Sequence, residues 1–316
     1  MLRDEKILIT GVSGMVGAPV AAYLAANNEV WGLARFGGEG ARGAAIGTNP
    51  SGRAEIDRLG VTTRAVDLAD PDLTDLPDDF TYVLHLAHTR MGADFWRAVQ
   101  INAVGAGKLL HHCRNAKAAL VMSSAAVYSP KPDVFHPFNE DDDLGKAVTP
   151  WAPSSPASKV SLEAVARFCA EAFELPTVIT RMNTIYGEFG EVAVGLPVMN
   201  MDSVVAGEVI DSLGDPNVHS PIHLLDVCEQ IEPLLAAASA PAVTVNWAGD
   251  EIVTLQQWCA QAAELSGTTA TINVNWIPGA LNGNGADVTR LQGLVGPNRI
   301  KFAEGFADLY RRRHGR

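Results

Sequence analysis

Ser155 and Lys159 stand four residues apart in PSSPASKVSLE (153–163), a spacing that places a hydroxyl and an amine one above the other on a helix face. Together they could hold an oxygen-bearing group and steer a proton on it. The segment around them reads as a helix start. Ser155 suits the cap, Pro156 suits the first helical position, and Val160, Leu162, Val165 and Phe168 follow at helical spacing. Lys159 is the misfit. A cation in the first turn opposes the helix dipole at a cost of a few tenths to ~1 kcal/mol if exposed, and the sequence pattern of the helix gives no reason for it.

A second constellation lies at the other end of the chain. KILITGVSGMVG sets Gly11, Gly14 and Gly17, with Ser13, Met15 and Val16 between them, at a junction from strand to helix. Glycines there allow a sharp turn and a close approach by a pyrophosphate, which the helix N-terminus attracts. The second strand ends in GLARF, where Ala34 takes the place of the acid that binds the ribose hydroxyls of NAD and Arg35 follows. A cation there pairs with the 2′-phosphate of NADP, so NADP(H) is favoured over NAD(H). Asp67 and Leu68 in VDLAD, Leu86, Ala87 and His88 in LHLAH, and Ser123 and Ser124 in VMSSAAVYS close the next three strands. Ligands of an open parallel sheet bind at such strand ends, so all of these residues line one crevice.

The elements that must position them alternate. KILIT (6–10) precedes a helix over 15–27, EVWGLA (29–34), a helix near 53–59, VTTRAVD (61–67), YVLHLA (82–87), a long helix over 94–114, AALVMS (118–123), the helix after Ser155, and PTVITRM (176–182). This order predicts an α/β fold, a Rossmann-like doubly wound parallel sheet with a small C-terminal substrate lobe. The division expected is a dinucleotide-binding core over 1–187 and a mixed substrate-binding lobe over 188–316, some of whose elements return to the core. In that lobe helices are predicted near 199–212, 224–237, 254–266 and 302–312, with strands in VTVNWAG and ATINVNW. The stretch FGGEGARGAAIGTNPSG (36–52) reads as a surface loop, and the acidic run NEDDD (139–143) as a solvated one rather than a metal site.

The 316 residues carry a formal net charge of -12, which speaks against a nucleic-acid partner. No signal peptide is evident, and no apolar run approaches the ~20 residues that cross a bilayer. The expectation is a cytoplasmic protein with neither a membrane nor a nucleic acid as partner. Cys113, Cys169, Cys228 and Cys259 form no CxxC pair, so neither a disulfide framework nor a bound metal is indicated.

Taken in order, TGVSGMVG, VDLAD, LHLAH, INAVGAGKLL, SSAAVYS, SKVSLE, RMNTIYG and HSPIHLLDVCE make the chain similar to the extended short-chain dehydrogenase/reductase family, the NAD(P)-dependent epimerase/dehydratase group. The resemblance implies that Ser124 is the catalytic hydroxyl, that Asn102 braces the active site, and that Lys159 binds the nicotinamide ribose. It also implies a homodimer through the helices at 94–114 and 158–174. One departure stands out. The family pairs its lysine with a tyrosine four residues earlier, and here that position is Ser155, a far weaker acid with a shorter reach.

Three explanations stay open. Another group, among Tyr128, Tyr186, His88, His219 and His223, supplies the proton for an NAD(P)-dependent oxidoreductase; or the reaction is a lyase, dehydratase or epimerase step without net redox; or the chain is a dinucleotide-binding sensor. Members that act on nucleotide sugars carry Asn two residues before YG and Arg ahead of the late h-V-x-D segment. Here Thr184 and His219 stand at those places, with Asn183 next door. Loss of the guanidinium removes a bidentate phosphate ligand, so the substrate is expected to be a small molecule without a diphosphate. Ser124, Tyr128, Asn183, Thr184 and His219 are the expected substrate contacts. VAVGLPVMNM (192–201) and TRMGADFW (89–96) read as apolar surroundings for such a molecule.

Overall fold

A computed structural model describes residues 2–36, 52–89, 92, 94–150 and 152–315. Most of the loop expected at 36–52, and three residues of TRMGADFW, lie outside the described residues. The chain divides into two compact units, each assembled from separated stretches. The first comprises Met1–Ser124, Trp151–Thr180 and Cys228–Val245; the second comprises Ala125–Pro150, Arg181–Val227 and Asn246–Arg316.

Strand alternates with helix through the first unit as the sequence predicts. The order is β1 (Lys6–Thr10), α1 (Gly17–Ala25), β2 (Glu29–Ala34), α2 (Arg53–Arg58), β3 (Thr62–Ala65), β4 (Tyr82–His85), α3 (Phe95–Val99), α4 (Gly105–His112), β5 (Ala118–Ser124), α5 (Ser155–Ala172) and β6 (Thr177–Met182). A seventh strand, Val243–Trp247, extends the sheet beyond β6, and the spatial order is Val243–Trp247, β6, β5, β4, β1, β2, β3. The pairs β1 with β2, β2 with β3, β1 with β4, and β4 with β5 are parallel. The strand order reverses beside β1, which is where a doubly wound sheet opens its binding crevice.

Burial explains the composition of these strands. A parallel sheet covered on both faces needs near-continuous apolar runs rather than alternation. Ile7, Leu8 and Ile9 of β1 and Val83 and Leu84 of β4 are wholly buried, whereas the edge strand β3 keeps its polar TTRA partly exposed. One core gathers Leu109 and Leu110 of α4 and Leu162 and Ala166 of α5 with Val83, Val121 and Ile179.

Three local expectations are corrected. The helix predicted over 94–114 is interrupted by a π-helical turn, Gln100–Val104, between α3 and α4. A π turn is a single wide turn inside an otherwise helical run, and no residue type announces it in the sequence. Ser155 is the first residue of α5 rather than its cap, and Pro156 is the second; Ser154 precedes the helix, with no side-chain cap bond. The helix predicted near 199–212 is Leu196–Ala206. It stops at Gly207, which takes a φ of +73°, and Val209–Ser212 forms a strand parallel to Thr271–Val274. The second unit has its own core, in which Val198, Met201, Trp258 and Phe306 are wholly buried.

Candidate active site

The turn after β1 is built by sterics. Gly11 has a φ of +69°, and a Cβ there would lie 2.8 Å from Ala87 Cα. A Cβ at Gly17 would lie 2.1 Å from Gly11 O, so only glycine lets α1 start so close to the strand it follows. The Gly11 amide donates to Leu33 O at 2.8 Å, and the Gly14 amide donates to Gly11 O at 2.8 Å. The tight turn leaves a crevice lined by Thr10, Gly11, Ser13, Leu33, Ala34, Arg35, Val66, Asp67, Leu68, Ala87, His88, Thr89, Ile101 and Asn102. These positions sit at the carboxyl ends of β1 to β4 and on the π turn.

Eight of the expected cofactor contacts therefore share one crevice: Gly11, Ser13, Arg35, Asp67, Leu68, Ala87, His88 and Asn102. Gly14, Met15, Val16 and Gly17 lie in the turn and the first helical residue next to it, without lining it. Leu86, Ser123 and Ser124, expected to line the same crevice, do not: Leu86 and Ser123 are buried in the packing at the ends of their strands. Thr10, Leu33, Val66, Thr89 and Ile101 also line the crevice; each falls in a stretch quoted above, but none has a residue type that marks it as a contact, so none was singled out. The glycine cradle, the helix start behind it and the exposed Arg35 at the rim fit a dinucleotide.

Lys159 is almost fully buried, and its ammonium donates to Met122 O at 2.6 Å. Burial pulls its pKa down to about 7, against the opposing charge of Glu163. Ser123 Oγ donates to Glu163 Oε1 at 2.6 Å. His85, on β4, is buried with Nδ1 3.0 Å from Thr10 Oγ1; burial first, and the nearby Lys159 charge second, lower its pKa to about 3. Ser124 closes β5 and is half-buried.

Ser155 does not face open solvent. Its Oγ lies 2.8 Å from His88 Nε2. Asn102 braces both segments that carry this pair: its Oδ1 accepts from Thr89 N at 2.8 Å, and its Nδ2 donates to Thr89 O at 2.9 Å and to Ser158 Oγ at 3.1 Å. Ser158 Oγ in turn donates to Ser155 O at 3.0 Å.

The remaining candidates belong to the second unit. The buried Tyr128 stacks on Phe138 and donates to Asn246 Oδ1 at 2.6 Å, while Arg181 donates to its hydroxyl at 3.1 Å; burial raises its pKa to about 12. Tyr186 is wholly buried, and burial drives its pKa well above the usual phenol range. Thr184 Oγ1 lies 2.7 Å from His219 Nδ1, so the two positions that differ from the nucleotide-sugar pattern are bonded to each other. Burial lowers His219 and His223 to about 4 each, which keeps both neutral at pH 7. Asn183 is occupied with backbone, accepting from Thr184 N and Ser220 N and donating to Asn284 O. Val194, Val198 and Met201 of VAVGLPVMNM are wholly buried. Asp142 of the acidic run pairs with Lys131 at 2.8 Å and with His136 at 2.9 Å.

Residues 7–241 match the model of the NAD dependent epimerase/dehydratase family. A curated dTDP-D-glucose 4,6-dehydratase of Dictyostelium discoideum is 26% identical over 207 residues, covering 58% of this chain and 44% of the relative. The chain thus spans less than half the length of the curated relative it matches. Among solved structures, a Bacillus cereus UDP-glucuronic acid 4-epimerase in complex with UDP-glucuronic acid and NAD superposes with a TM-score of 0.77 at 22% identity, covering 98% of this chain and 99% of that one. A UDP-N-acetylglucosamine 4-epimerase of Methanobrevibacter ruminantium gives 0.78 at 21%, with 98% of each chain covered.

Proposed function

The chain belongs to the NAD dependent epimerase/dehydratase family, and from that premise we propose an enzyme that prefers NADP(H) and acts on a carbonyl or alcohol carbon of a small substrate without a nucleotide. The observation that carries this reading is the crevice at the strand ends, closed on one side by a glycine turn that no side chain could replace. The bound dinucleotide supplies the hydride acceptor or donor. Gly11 to Gly17 would hold its pyrophosphate, Arg35 would take the 2′-phosphate, Lys159 would hold the nicotinamide ribose, and Ser124 with Ser155 would hydrogen-bond the substrate oxygen. Asn102 fixes the strand tail and the helix start relative to each other.

The choice of substrate rests on Thr184 and His219 standing where nucleotide-sugar members of the family carry Asn and Arg, so that the arginine's fixed charge is missing. A second reading is favoured by the family itself and by the names of the dehydratase and epimerases similar to this chain: the same site returns its dinucleotide to the starting redox state, giving epimerisation or dehydration without net oxidation. Incubation with a panel of ketones and secondary alcohols separates the two. Net change in nicotinamide absorbance marks an oxidoreductase. Isomerised or dehydrated product at constant absorbance marks the second reading, and no product of either kind contradicts both.

Phe95 and Trp96 on α3 and Phe168 on α5 are exposed, Trp96 at 70%. They support a homodimer through these helices. All four cysteines are buried and free, which suits the reducing cytoplasm. Among the described residues no helix is long and apolar enough to cross a membrane.

A further inference from the structure

The family's phenol is missing, yet its place is not left to a lone serine. We propose that His88 and Ser155 together form the proton relay of this site, with Ser155 Oγ meeting the substrate oxygen and His88 Nε2 taking or returning the proton behind it. The inference rests on the reading above, that a dinucleotide-dependent reaction occurs in this crevice.

Geometry makes the case. His88 lines the crevice, and its Nε2 lies within hydrogen-bond distance of Ser155 Oγ. Both partners are fixed by one buried amide: Asn102 clasps Thr89, next to His88, and Ser158, within the first turn after Ser155. Such clasping is what a relay needs, because proton transfer requires the two heavy atoms to stay near hydrogen-bond distance. It also gives a reason for Ser155 to start α5 without serving as its cap: its hydroxyl is committed to the imidazole. The other groups able to replace a phenol are poorly matched. Burial has moved Tyr128 and Tyr186 up and His219 and His223 down, each away from neutral pH.

In the oxidative direction the substrate hydroxyl gives its proton to Ser155 Oγ while Ser155 passes its own proton to His88 Nε2, leaving an imidazolium. The hydrogen on the carbinol carbon departs with its electron pair to the oxidised nicotinamide dinucleotide, and the C–O bond becomes a carbonyl. Reduction reverses each transfer, so atoms and charge balance. A serine can act here despite its weak acidity, because it carries the proton through rather than holding the charge.

The test begins with the cofactor-free protein labelled with 15N-histidine, near neutral pH. His88→Gln identifies the His88 signals among those of eight histidines, and survival of the other seven sets shows that the variant folds. The expected result is an unprotonated Nε2 that accepts from Ser155, with a resonance that moves in Ser155→Ala. An Nε2–H tautomer, or a resonance unchanged in Ser155→Ala, overturns the relay. With any substrate found by the panel, His88→Gln should lower kcat at least ~100-fold, the lower end for positioned acid–base groups, with KM within about threefold. A kcat within about threefold of wild type overturns it. Wild-type protein that binds neither NAD(H) nor NADP(H) would instead defeat the underlying reading, whatever the imidazole signals show.

Discussion

Lys159 carries the sharpest consequence at the scale of single residues. Its pKa falls from 10.5 in the open chain to about 7 in the fold, mainly through burial. The unfolded chain therefore binds more protons between those values, and stability rises with pH across that window. The destabilising contribution is complete below pH about 7 and vanishes toward 10.5. Lys159→Met should thus be more stable than wild type at about pH 6, by on the order of a few kcal/mol, with the gap closing as pH rises. Urea unfolding across that range measures it, and a gap independent of pH contradicts the assignment. At the crevice rim, Arg35→Ala should weaken NADPH about fivefold, the ~1 kcal/mol of an exposed ion pair, and leave NADH unaffected. In the second unit, the Thr184–His219 pair predicts no heat on calorimetric titration with UDP or dTDP at up to about millimolar concentration; firm binding would restore a nucleotide-sugar substrate. Legibility at this scale was uneven. The glycines were readable because sterics leave one residue type for their task. The bond from His88 to Ser155 was not, since the partners are 67 residues apart and meet only after a strand end and a helix start are brought together.

At the scale of elements, the alternation of strand and helix was plain in the apolar runs, and β1 to β6 stand where those runs are. The π turn was not legible, because it is one turn within a longer helical run and no residue type marks it. Its effect on the site is specific: it carries Asn102, whose three hydrogen bonds lock the tail of β4 to the start of α5. Asn102→Ala should cost roughly 2–3 kcal/mol, since buried partners lose their bonds, and a loss below about 0.5 kcal/mol in urea unfolding would show the clasp to be dispensable. The junction of β1 and α1 is equally intolerant. A methyl at Gly17 would sit 2.1 Å from Gly11 O, and backbone must move to relieve it. Gly17→Ala should destabilise by about 1–3 kcal/mol, the usual penalty of overpacking.

At the scale of the whole molecule, the doubly wound parallel sheet was accessible from the sequence because a parallel alternation has few allowed topologies. A return of later elements to the core was expected, but which of them return was not legible; Val243–Trp247 is one, and it extends the sheet beyond β6. The exposed Trp96 and Phe168 bear on assembly: if α3 and α5 form a dimer face, Trp96→Asp with Phe168→Asp should yield monomers in analytical ultracentrifugation. All of this depends on a dinucleotide lying over the glycine turn. Titration of the purified protein with NADPH and NADH, followed by nicotinamide fluorescence, is the most direct test. The account predicts saturable binding, tighter for NADPH; no association with either would contradict it.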